Sequence, residues 1–241
     1  MFDQRAADRL QRKYHTPILF AATIIALAAV GGGVAQAEDR WYLAGAATGS
    51  DLNKPRQTIA NAPVPGSTLH VTNDVDFGWG GQIAVGRTLG PLRLEAEVGH
   101  TENKSKSYTA TSPISITLPQ KGDNDATRYM ANAFYDLRPE SLPLGMYVGF
   151  GVGAADVRVT TFAAPARAPS APPSQLMDFD QTVFAYQLMA GLNHSLSQHL
   201  AITAQYRWFD AGTITGRDAR GQRATRDIAG HNLDVGLRYA F

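Results

Sequence analysis

The 241-residue chain has no cysteine, which excludes a disulfide framework and any thiolate metal centre. Charge of one sign is not in excess either: 22 Lys and Arg stand against 21 Asp and Glu, for a net +1. Nothing in that balance calls for a polyanion, so nucleic acid is not an expected partner. Long hydrophobic runs are missing as well. The longest, Ile18–Val30 (ILFAATIIALAAV), covers only about 20 Å at helical rise, against a hydrocarbon core of roughly 30 Å. The glycine-rich stretches GWGGQ (Gly78–Gln82) and GFGVG (Gly149–Gly153) lie in alternating sequence with no helix after them, so they are not phosphate loops. His70, His100 and His231 stand alone, without metal-ligand spacing. DNDAT (Asp123–Thr127) and the pair Asp178 and Asp180 lack the glycine-punctuated spacing of a calcium loop. No cofactor is expected.

What is present begins with a leader. Arg5, Arg9, Arg12 and Lys13 precede the apolar run, and small residues follow it, ending in Ala35-Gln36-Ala37. A basic segment, a short apolar core and an A-x-A site form the layout of a secretory signal peptide. Residues 1–37 are therefore expected to be removed after Ala37, leaving 38–241 as one domain.

Beyond Ala37 no helical period recurs, but alternation does. The pattern predicts eight strands: Arg40–Gly49, Asp74–Thr88, Pro91–Thr101, Thr127–Arg138, Leu144–Val159, Gln181–Ser195, His199–Asp210 and His231–Phe241. Most approach the ~9–11 residues that cross a bilayer at a tilt. The connections alternate in length. Long loops are expected at Ser50–Asn73, Glu102–Ala126, Thr160–Asp180 and Ala211–Gly230, and tight turns at Leu89-Gly90, Pro139–Pro143 and Leu196–Gln198. Long and short connections thus fall on opposite ends, which is the rhythm of an up-and-down transmembrane barrel. The third long connection holds a Pro/Ala/Ser-rich run, Ala163–Gln175, expected to be a solvated spur.

Each strand separates two faces. One parity carries large apolar residues, for example Met146, Val148, Phe150 and Val152, or Leu233, Val235 and Leu237. Its largest aromatics, Phe77, Trp79, Tyr129, Tyr135 and Trp208, fall near strand ends, where they would form interfacial girdles. The other parity carries glycine and charge: Arg93, Glu95, Glu97, Arg128, Asp136, Arg138, Arg207, Asp234 and Arg238. A soluble lipocalin-like barrel would put the apolar set inside; a membrane barrel inverts it. Arginine facing lipid at the midplane would cost ~2–4 kcal/mol, so inversion is the expectation and the charges should pair within the lumen. Arg93 is expected near Asp136, and Arg207 opposite Asp234. The first strand, WYLAGAATG, is small and apolar on both parities and leaves its own facing open.

The last strands resemble the small opacity/porin-like, OmpA-like outer-membrane barrels of Gram-negative bacteria. The hairpin Ala190–Asp210 is similar to that family's, ending in the aromatic-Arg-aromatic triplet Tyr206-Arg207-Trp208. The stretch HNLDVGLRYAF resembles its closing strand, in which Gly236, Leu237, Tyr239 and Phe241 would form the signal read by the barrel-assembly machinery. The resemblance implies an outer-membrane location in contact with lipid and lipopolysaccharide. It also implies a role in membrane integrity or in surface recognition, with an extracellular ligand at the four long loops. Two other functions stand beside this one: a lipid A-modifying barrel enzyme and a narrow porin. The residues nearest to a catalytic set are Asn193-His194-Ser195 with Ser197 and His199. Strand neighbours point to opposite faces, and no carboxylate is spaced to orient an imidazole, so a non-enzymatic barrel is expected.

Overall fold

The structure, a computed structural model, describes residues 39–61, 65–111, 115–137, 144–163, 175–218 and 221–241. The signal-peptide expectation, with Ala35 and Ala37, and the position of Arg138 lie outside these residues, as does most of the Pro-rich run.

Among the described residues, ten strands form one antiparallel sheet. In chain order they are β1 (Trp41–Leu52), β2 (Arg56–Ala60), β3 (Thr68–Val75), β4 (Gly78–Leu89) and β5 (Leu92–Ala110), followed by β6 (Ile116–Leu137), β7 (Gly145–Ala163), β8 (Gln175–Ser195), β9 (Leu200–Asp218) and β10 (Arg223–Ala240). Eight of them close a ring, β1-β4-β5-β6-β7-β8-β9-β10, because β10 pairs back onto β1 from Tyr42↔Ala240 to Leu52↔Gly230. Closure leaves that strand edge no unpaired ladder. The short strands β2 and β3 continue β1 and β4 upward after breaks at 53–55 and 76–77: β2 pairs with the upper part of β10, and β3 with the upper part of β5. Gly90, at φ 64°, makes the tight β4–β5 turn in a conformation that a side chain would disfavour.

The strands correct one expectation. Residues assigned to long loops are largely strand: Glu102–Ala110, Ile116–Ala126, Thr160–Ala163, Gln175–Asp180, Ala211–Asp218 and Arg223–Gly230 all continue the wall. β6 alone has 22 residues, roughly 70 Å of extended chain, more than twice what a bilayer crossing uses. These extensions were hard to see because several are polar on both parities. In β5, Glu102, Lys104 and Lys106 face out while Asn103 and Ser105 are buried inside. Alternation of hydrophobicity is silent where neither face is apolar.

Exposure divides the barrel into two zones. Over one band the outer wall is apolar, with Leu43, Ile83, Leu94, Val148, Phe150, Leu188, Ile202, Leu233 and Leu237 exposed. This band spans approximately 41–49, 79–89, 92–100, 128–137, 145–154, 184–194, 200–208 and 232–240, and its interior is charged. Above it the pattern inverts. Glu102, Asp123, Arg158, Asp180 and Asp227 face out, and Ile59, Val71, Val157, Val159, Phe179, Ile214 and Ile228 form a buried core inside. The same chain is packed against lipid below and against water above, so its apolar side changes over where the solvent does. β1 resolves its facing too: Tyr42, Thr48 and Ser50 are buried inside, and Leu43 faces out.

Among the described residues, the wall has a lapse. Ladder pairing between β8 and β9 stops between Asp178 and Tyr186. Gln181 Oε1 partly bridges it, accepting from the Thr215 amide at 2.8 Å. On β9 a positive-φ glycine, Gly212 at φ 65°, lies within the unpaired stretch.

Candidate functional site: the charged lumen

The centre of the lipid-level lumen is a hydrogen-bonded lattice built on Glu97 of β5. Arg207, from β9 on the opposite wall, is fully buried and donates Nη1 to Glu97 Oε1. The same Nη1 donates to Gln187 Oε1 at 3.0 Å, Nε to Asp234 Oδ2 at 3.1 Å, and Nη2 to Gln82. Asp234 is held further by Thr48 Oγ1 at 2.7 Å and Gln205 Nε2 at 3.1 Å. Asn132 Nδ2 donates to Glu97 at 2.8 Å and to Glu95 at 3.3 Å, and Glu95 also accepts the Tyr42 hydroxyl at 3.1 Å. Arg128 lies above, 3.8 Å from Glu97 and 5.6 Å from the centre of the Phe209 ring. Every one of these strands contributes because the period-2 pattern puts the polar parity of each on the inner wall.

Below the lattice, Arg93 Nε sits 3.0 Å from each oxygen of Asp136. Its guanidinium lies 4.6 Å from the Phe134 ring centre and 4.7 Å from that of Tyr147, with Met189 beside both rings. Arg238 adds a fourth guanidinium, 5.6 Å from the Tyr42 ring. Among the described residues, the lipid-level interior therefore balances Arg93, Arg128, Arg207 and Arg238 with Glu95, Glu97, Asp136 and Asp234. Between the two layers is a cavity of about 40 Å³, lined in part by Arg93, Glu95, Gln205, Asp234 and Arg238. It has room for roughly two or three waters.

Large side chains fit because glycines face them across the ladder. Phe134 pairs with Gly149 and Tyr147 with Gly191, and a Cβ on Gly149 would stand 2.3 Å from the Phe134 ring. The glycine-rich stretch Gly149–Gly153 is thus one half of a plug whose other half is aromatic and amide: Asn132 and Gln187 crowd Gly151 in the same way.

The structure brings Arg93 to Asp136 and Arg207 to Asp234, and it places Glu95, Glu97, Arg128 and Arg238 in the same interior. Phe77, Trp79 and Tyr135 are exposed on the outer wall, and Tyr129 and Trp208 are half-buried there. Phe77 and Trp79 meet edge to face at 5.1 Å, and Tyr186 and Trp208 at 5.5 Å. Leu237, Tyr239 and Phe241 are likewise exposed, and Gly236 packs its backbone on Gly45 and Ala46. Sequence reading missed Arg226, a buried inward guanidinium assigned to a loop, and the uncharged lattice members Asn132, Gln187 and Gln82 as pairing groups. Their signal was available: each lies on the inward parity. Of the catalytic-looking set, Asn193, His194 and Ser195 end β8, and Ser197 and His199 lie in the turn that follows. Ser197 Oγ accepts the amides of His199 at 3.3 Å and Leu200 at 3.1 Å, and the His199 ring stacks on Tyr239 at 6.1 Å.

A closed antiparallel ring, apolar outside over one band and charged within it, defines an integral β-barrel of the outer membrane. Residues 19–241 match the model of the outer membrane protein beta-barrel domain, and the chain belongs to that family. An uncharacterized protein of Brucella abortus (strain 2308) is 31% identical over 166 residues, which cover 59% of this chain and 58% of that protein. One of Brucella suis biovar 1 (strain 1330) is 34% identical over 157 residues, covering 56% and 55%. The match therefore spans under two thirds of the length of these curated relatives. The outer membrane protein OprG from Pseudomonas aeruginosa superposes with a TM-score of 0.59 at 11% identity, over 84% of this chain and 96% of OprG, a likeness of fold.

Proposed function

We propose that this protein is a non-conducting, non-enzymatic outer-membrane barrel that anchors a tall extracellular β-structure for surface interaction and supports envelope integrity. The observation that carries this reading is Arg207 tied to both walls of the lumen, with Glu97, Gln187, Gln82 and Asp234 closing the section around it. An eight-stranded ring has little room beyond its side chains, and here Arg207, Glu97 and Asp234 bond one another across it. Phe77, Trp79, Tyr129, Tyr135 and Trp208 serve as the interfacial girdle against lipid and lipopolysaccharide. Gly236, Leu237, Tyr239 and Phe241 present the strand read by the assembly machinery. Any extracellular ligand meets the strand extensions within 50–73, 102–126, 160–180 and 211–230. The turn around His194 and His199 works as a turn, with its hydroxyl spent on backbone amides.

Reconstitution in planar bilayers tests the central point. The folded protein should give no stable unitary conductance above background. Discrete, long-lived openings would replace this reading with that of a narrow porin. Lipid A of unchanged mass with and without the gene is the expected companion result.

A further inference from the structure

Charge is balanced inside the lipid-level lumen and unbalanced above it. Arg226 projects inward from the upper part of β10, where the wall is already outside the bilayer, and it is 1% exposed. Its Nη2 crosses the interior to Asn124 Oδ1 on β6, the opposite wall, at 2.7 Å. Among the described residues, its buried Nε and Nη1 have no hydrogen-bond partner, and the side chain has no salt-bridge partner. The acids of the same zone, Asp51, Glu102, Asp123, Asp180 and Asp227 among them, are on the outer face. Residues 62–64, 112–114, 164–174 and 219–220 contain no Asp or Glu.

The interior around Arg226 is amide-lined towards Asn124 and apolar towards Ile214, its ladder partner. Asn124 Nδ2 is committed to Asn103 O at 3.1 Å and Ser105 Oγ at 3.0 Å; Gln120 Nε2 bonds Asn73 Oδ1 at 3.0 Å. These groups bond one another and leave the guanidinium a single acceptor. A guanidinium keeps its proton at any physiological pH, so it cannot escape by neutralising. Burial alone pulls its pKa down to about 10, and no carboxylate pushes back. By contrast, Arg207 of the lower lattice meets two carboxylates. A fixed, desolvated cation with open N–H groups demands an anion.

We infer that the upper chamber binds a small oxyanion, a carboxylate or phosphate group, on the open N–H groups of Arg226, reached from the extracellular end of the barrel. The source can be a free anion or an anionic group on a larger extracellular molecule. Free phosphate and acetate are the probes because they carry the shared chemistry.

The test uses the full chain folded in detergent micelles. Thermal unfolding is followed by the gel shift between unheated and heated samples while inorganic phosphate or acetate replaces a bulky organic sulfonate at constant ionic strength. The wild-type midpoint should rise saturably, by about 5 °C at a hundredfold excess over the dissociation constant. Arg226→Gln should abolish the saturable rise, whereas Arg217→Gln, at an exposed rim arginine, should keep it. Asn124→Asp supplies an internal carboxylate where Arg226 already donates, and it should also abolish the response while the barrel still folds. That variant decides the matter if Arg226→Gln fails to fold. A wild-type midpoint indifferent to phosphate and acetate would show that water alone solvates Arg226 and would overturn the site. An unchanged response in either Arg226→Gln or Asn124→Asp would do the same.

Discussion

Arg207 on β9 and Glu97 on β5 meet across the full width of the lumen, with three strands of the ring on either side of the pair. Both are desolvated, and Glu97 also neutralises Arg128 at 3.8 Å. Glu97→Gln would leave two buried guanidiniums sharing Asp234, and removing one member of a buried pair costs about 3–5 kcal/mol. Urea unfolding in lipid vesicles, followed by tryptophan fluorescence, should show that loss. Adding Arg128→Met should recover part of it, because Arg207 keeps Asp234. A Glu97→Gln barrel as stable as the parent would mean that the lattice fills space without holding the walls together.

The aromatic plug makes a steric prediction. Gly149 has no room for a methyl, with Phe134 Cδ1 at 2.3 Å and Cε1 at 2.7 Å from the position a Cβ would take. Gly149→Ala must therefore displace Phe134, which in turn packs on Arg93. Overpacking of this kind costs about 1–3 kcal/mol. Phe134→Leu alone should also destabilise, yet the double variant should be more stable than the two single losses predict when added. Strict additivity in that cycle would show that the ring and the glycine do not share the space.

A pH effect is expected from the outer wall above the lipid band. Asp125 is pushed above the ordinary carboxylate value by partial burial first, then by Glu102 and Asp123, with His100 and Arg158 opposing. An acid whose folded pKa is raised destabilises the fold above that pKa. The penalty fades as pH falls through the folded value and is gone below the unfolded one, near 3.8. Asp125→Asn should thus be more stable than the parent at neutral pH, and the two should converge in acid. Because the group is partly solvated, the gain will be small, and a midpoint comparison at pH 7 and pH 3.5 reads it. A neutral-pH penalty for Asp125→Asn would instead assign the carboxylate a favourable partner.

Strand number, direction and facing were legible in the sequence wherever one solvent is lipid, since a single apolar parity over nine residues leaves little choice. Met146, Val148, Phe150 and Val152 illustrate it. Pairing of Arg93 with Asp136 and of Arg207 with Asp234 followed from hairpin geometry alone. Three things were not legible. The stretches Glu102–Ser107 and Gln120–Asp125 are polar on both faces, so a period of two has nothing to modulate. The first strand hid its facing because Ala44, Ala46 and Ala47 are equally small. The roles of Gly149 and Gly191 were hidden because Phe134 and Tyr147 lie on them from neighbouring strands, a contact that no single strand records.

The change of solvent along each strand gives the sharpest pair of substitutions. Val159 and Val148 lie on the same strand, β7, on opposite parities and at different heights: Val159 is wholly buried inside the extracellular part, and Val148 is exposed on the lipid band. Val159→Asp would place an unpaired carboxylate in an apolar core of Val157, Phe179 and Ile214 and should unfold the upper barrel while leaving membrane insertion intact. Proteolysis of the reconstituted variant should then trim the extracellular strands and spare the lipid-level ring. Val148→Arg should do the reverse. At the bilayer midplane an arginine costs about 2–4 kcal/mol, so insertion into vesicles should fall while the detergent-solubilised fold survives. If Val159→Asp blocked insertion as strongly as Val148→Arg, the two halves would be one cooperative unit and the inversion would carry no independent stability.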